Sequence, residues 1–156
     1  MYNTNKSLLT WNFVIGLCFF FLIIFSSTAI AVDLPFDPND YSFLVYNPGG
    51  QQSNIIDAME YILGRQLEQS EIRNSAYPIT ANDLATHDIL IVGENSFGNI
   101  NGLHADDLLA GITGRIILSG HDADQHTVEE IEAAETFLIQ AIDYVLKGGG
   151  TGMLTL

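Results

Sequence analysis

The sequence predicts an α/β fold: a parallel sheet of about five strands with helices on both faces. Three observations predict it. Short apolar runs alternate with helical patterns along residues 41–156. The runs, most plainly Asp88-Ile-Leu-Ile-Val-Gly93, lack polar alternation, as strands covered on both faces do. Glycine-bearing turns follow the strands at Asn47-Pro-Gly-Gly50, Gly93 and Gly120, each leading toward the next helix.

The chain divides into a leader, a spacer and a domain. Residues 1–31 read as a signal peptide. Lys6 supplies a positive start, Phe13 to Phe25 is an apolar core, and Ala29-Ile30-Ala31 is a small-residue exit. Cleavage near Ala31 would export the remainder, to the periplasm, the cell surface or the medium. The alternative is a membrane anchor over residues 8–32, although the apolar core falls short of the roughly 20 residues a span needs. Residues 32–40 contain two prolines and three aspartates and read as an irregular spacer.

Tyr41 to Tyr46 is a compact buried strand. Ser53 is placed to cap the next helix, whose Ile55, Ile56, Met59, Ile62 and Leu63 keep a 3.6-residue period up to Gly64. Strand, glycine turn and helix make the first half of a βαβ unit. Gly49 and Gly50 would shape that turn; they could also bring N–H groups toward an anion, but the lysine of a phosphate-binding loop is absent. Glu68 to Ser75 is a weak, polar, outer strand around Ile72. Thr80 and Asp83 form a capping pair that opens a short helix over Ala81–Thr86. The strand at 88–93 follows, and then a long Asn/Gly loop, Glu94 to Leu103. Ala105 to Ala110 is a short helix with Asp106 and Asp107 at its positive end.

Arg115 to Leu118 is read as a further buried strand. His121, Asp122, Asp124 and His126 follow in a polar loop, and Thr127 with Glu130 caps a long helix with an apolar stripe from Ile131 to Leu146. Gly148, Gly149 and Gly150 end it, and Gly152 to Leu156 is the last strand. A final buried strand normally leads to another covering helix, so the expectation is a domain truncated at its C-terminus; a terminal edge strand is the alternative.

Chemistry is constrained by composition. The one cysteine, Cys18, lies in the leader, so after Ala31 there is no disulfide, thiol nucleophile or thiolate metal site. All 19 acidic residues follow Ala31, against Arg65, Arg73, Arg115 and Lys147, a net charge of −15. Nucleic acid and anionic lipid need a basic footprint and are excluded. In a parallel sheet, ligands sit beyond the carboxyl ends of the strands. Candidate ligand-binding residues there are Asn47, Gly49, Gly50, Glu94 and His121. His121, Asp122, Asp124 and His126 offer imidazole and carboxylate ligands to a divalent metal, the one cofactor class the residues suggest; the alternative is turn-forming aspartates and a hydrogen-bonded histidine. His87 precedes its strand at the far end and reads as structural.

Taken together, Tyr41 to Gly50, Asp88 to Gly93, Gly114-Arg-Ile-Ile-Leu-Ser-Gly-His121 and Lys147-Gly-Gly-Gly150 resemble the class I glutamine amidotransferase-like superfamily. The resemblance covers most of residues 41–156 and points to its exported bacterial members, some of which carry C-terminal sorting signals of the PEP type. It implies a flavodoxin-like sheet. Enzymes of that superfamily use a cysteine nucleophile with a later histidine and glutamate. With no cysteine after Ala31, the activity does not carry over. The expected function is an exported, non-catalytic domain that binds an unidentified ligand or protein partner. The alternative is a metal-dependent hydrolase using the His121–His126 loop.

Overall fold

The structure, a computed structural model, describes residues 33–48, 54–93, 101–119, 123–129 and 131–156. Expectations for the leader, Gly49, Gly50, Ser53, Glu94, His121, Asp122 and Glu130 lie outside them. Residues 32–156 form one unit, distinct from residues 1–31. Among the described residues no helix is long and apolar enough to cross a membrane.

Five strands, β1 (Phe43–Tyr46), β2 (Ile72–Arg73), β3 (Ile89–Val92), β4 (Ile116–Leu118) and β5 (Gly152–Thr155), form one all-parallel sheet. Among the described residues five helices connect them: α1 (Asn54–Leu63), α2 (Ala81–Ala85), α3 (Ala105–Gly111), α4 (Ala123–Val128) and α5 (Glu132–Leu146). The strand order is β2-β1-β3-β5-β4. It is a flavodoxin-like sheet in which the last two strands exchange places relative to the common 2-1-3-4-5 order.

Alternating strand residues feed two cores. Phe43, Val45, Ile89, Ile91 and Leu154 pack on the first face with apolar residues of α1 and α5. Leu44, Tyr46, Leu90 and Val92 pack on the second with Leu84 of α2 and Leu108 of α3. Connections that run toward β2 or back from β4 carry α1, α4 and α5 on the first face. Those that run the other way carry α2 and α3 on the second. A single crossover hand requires this division.

Several local readings hold. β1 and β3 are fully buried, and each aliphatic side chain so covered is worth about 1.5–3 kcal/mol. Gly64, at φ +64°, closes α1 in the left-handed region that glycine adopts without strain. Thr80 accepts from Asp83 N–H while the Asp83 carboxylate accepts from Thr80 N–H, a complete capping box for α2. β2 is the expected outer strand.

Three expectations are corrected. The run at 115–118 is no buried strand: β4 lies at the sheet edge, with Ile116 53% and Leu118 75% exposed. Residues 123–128 are helical, where a polar loop was expected. Ala123, Asp124 and Thr127 share one face, packed against α1 and α5, and the Thr127 hydroxyl donates to the Ala123 carbonyl at 2.7 Å. Thr127 is therefore inside α4 and does not cap the long helix. Ile131 takes that position without a side-chain cap, and Glu132 and Glu135 of the first turn complement the helix dipole.

Candidate functional site

The connection leaving β1 runs toward β2, and the one leaving β3 runs the opposite way, although the two strands are neighbours. Their carboxyl ends therefore flank the topological switch point, where sheets of this kind leave a crevice. Tyr46 pairs with Val92, so Asn47 and Gly93 are the next residues on either side. The Asn47 N–H is engaged by the Arg73 carbonyl at 2.8 Å, which fixes the tip of β1 against β2.

Gly93 is a point of close approach. A Cβ there would stand 2.7 Å from Ile55 Cβ, in the first turn of α1, and 2.9 Å from Asp124 Oδ2, in the first turn of α4. Only a residue without a side chain lets two helix starts close on the tip of β3. The Asp124 carboxylate thus belongs to this rim, and the residue is 2% exposed. Gly102 is a second close approach. Its N–H donates to the Tyr46 hydroxyl at 2.9 Å, its carbonyl accepts from Ile79 N–H, and a Cβ would strike the Tyr46 ring. Gly93 and Gly102 are thus each set close against neighbouring elements.

Of the four proposed metal ligands, two are described, and the structure does not bring them together. Asp124 and His126 stand two residues apart on α4, roughly 200° around its axis. Asp124 faces inward. His126 is half exposed, with Nδ1 3.0 Å from Glu129 Oε2. Hydrogen bonds from Gln125 and then His126 hold the Glu129 carboxyl below its usual range. Among the described residues no three His, Cys, Asp or Glu side chains gather around one point. Gly49 and Gly50 follow the tip of β1 in sequence, Glu94 follows Gly93, and His121 follows β4 by three residues. Of the ligand-binding candidates, Asn47 alone is described. His87 lies at the amino end of β3, where Nδ1 is 2.7 Å from the Asp83 carbonyl, in keeping with a structural role.

Sequence reasoning missed an open groove of about 780 Å³ beside β2, lined by Gln69, Ile72, Arg73, Tyr77, Pro78 and Thr80. The signal available was Tyr77-Pro78, an aromatic in a polar loop; Tyr77 is largely exposed. The groove's cation is engaged internally: Arg73 donates to Asp83 at 2.6 Å and to the Ser70 and Ile72 carbonyls. Comparison with family models, curated proteins and solved structures returned no match to the chain.

Proposed function

We propose that this chain is an exported, glutamine amidotransferase-like domain that binds a ligand or protein partner at the crevice between β1 and β3, without a covalent step. The observation that carries the reading is the convergence of the α1 and α4 starts on Gly93, which holds a carboxylate, Asp124, at the switch point. Asn47 lies on the opposite lip. Gly49, Gly50 and Glu94, which adjoin these strand ends in sequence, and His121, which follows β4, complete the candidate set. The sequence of residues 1–31 supports export. The lack of any cysteine after Cys18 argues against the thiol chemistry of the enzymes it resembles. An acidic rim on a chain of net charge −14 favours cationic or hydrogen-bond-donating ligands over anions.

The test is a thermal-shift screen of free amino acids and small diamines at millimolar concentration. A ligand of this crevice raises the melting temperature of the wild type and loses that effect in Asp124→Asn and Asn47→Ala. A stabilising compound indifferent to both substitutions binds elsewhere and removes the reading. Elemental analysis decides the hydrolase alternative: stoichiometric metal that is lost in His121→Ala would replace this proposal with a metal-dependent one.

A further inference from the structure

β4 is a short edge strand that lacks the charged and proline devices that often protect one. Proline, lysine and inward-pointing charge are all absent from Ile116-Ile-Leu118. Ile117 packs into the first-face core. By alternation Ile116 and Leu118 lie on the second face, where both are exposed. Their neighbours across the ladder are Met153 and Thr155.

The backbone of this strand also has a definite polarity. The Arg115 carbonyl accepts from Met153 N–H and the Ser119 N–H donates to Thr155, each at 2.9 Å. In a parallel ladder alternate residues turn toward one neighbour. Residues 115, 117 and 119 therefore face β5, and the N–H and C=O groups of Ile116 and Leu118 face outward. Among the described residues no strand pairs with that side.

We propose that β4 is a self-pairing edge, and that a second copy of this chain adds antiparallel to it about a two-fold axis through Ile117. Ile116 then lies opposite Leu118 of the second copy, and Leu118 opposite its Ile116. Each is a hydrogen-bonded pair, so all four outward groups on each strand are satisfied by their own symmetry mates. The four aliphatic side chains close into one row on the second face, and two five-stranded sheets become one of ten. Charge selects this occupant. Residues 108–119 hold no acid in a chain with 19, and their one cation, Arg115, is stacked 4.4 Å from the Tyr144 ring centroid and donates to the Tyr144 carbonyl. The strip carries one cation and no acid, so two copies meet there with less of the repulsion their acidic surfaces would otherwise impose. The contact is small, well under the roughly 1,200 Å² of a standard interface, which places it among weak, concentration-dependent associations.

Sedimentation from about 5 to 500 µM tests this on the protein as the cell makes it, its mass recorded first. The expected result is a reversible monomer–dimer equilibrium that strengthens with salt, as screening relieves the net-charge repulsion. Exchange of the Ile116 and Leu118 amides should slow about threefold once roughly three quarters of the chains are dimeric. Ile116→Lys combined with Leu118→Lys sets ammonium groups opposite one another and should leave a monomer. Because both positions are exposed, its melting temperature should match the wild type's. A wild type that stays monomeric throughout, a dimer indifferent to the double substitution, or open-ended oligomers would each overturn the two-fold pairing. So would protection of those amides only in the presence of another protein.

Discussion

Replacing Gly93 with alanine tests the geometry of the rim directly. The new methyl would sit 2.7 Å from Ile55 Cβ and 2.9 Å from Asp124 Oδ2. The aspartate oxygen ends a short side chain and can turn aside. Ile55 Cβ is fixed to the backbone of α1, so the helix start must retreat by several tenths of an ångström. Overpacking of this kind costs about 1–3 kcal/mol. Alanine also narrows the unfolded ensemble, which returns about 0.4–1 kcal/mol, for a net loss of roughly 1–2 kcal/mol. In a unit spanning residues 32–156, that is a fall in melting temperature of about 3–10 °C. Urea denaturation gives the same quantity as a lower midpoint at constant slope. Adding Asp124→Ala should restore little, because the shorter contact is with Ile55. A neutral or stabilising Gly93→Ala would mean that α1 does not close on β3, and the crevice would lose its described wall.

Two further perturbations probe the scaffold. Burial acts to raise the Asp83 carboxyl, but bonds from Arg73 and Thr80 outweigh it and lower the pKa from 3.8 to about 2. A depressed carboxylate contributes stability above its unfolded pKa and loses it as pH falls through the folded one. The wild type should therefore exceed Asp83→Asn by about 1 kcal/mol above pH 5, after allowance for solvent screening, with the gap closing between about pH 4 and 2. A gap independent of pH would refute the pairing. Leu90→Ala, at a fully buried position of β3, should cost about 2–5 kcal/mol, while Leu109→Ala, 82% exposed on α3, should stay within about 0.5 kcal/mol. Comparable urea midpoints for the two would contradict the packing of the second-face core.

The contrast between β3 and β4 explains how far the sequence could be read. Both are continuous apolar runs, Ile-Leu-Ile-Val and Ile-Ile-Leu, and a run lacking polar alternation implies cover on both faces. For β3 the cover exists. For β4 the second face is open, and nothing local distinguishes the two, because cover is supplied by elements distant in sequence. The position of β5 between β3 and β4 was hidden for the same reason: strand order is set by which faces the helices occupy. Capping pairs were legible where the whole motif is local, as at Thr80 and Asp83. The same signature at Thr127 misled, since residues 123–128 close into a helix that turns Ala123 and Thr127 inward. That helix also turned His126 away from Asp124, so their closeness in sequence gave no closeness around a point.

The hydroxyl of Tyr46 reaches from the sheet interior to hold Gly102, while Gly93 is held by the starts of two helices. Neither glycine can take a side chain without displacing what it touches. Both positions therefore admit glycine alone, one at the tip of β3 and one against the ring of Tyr46.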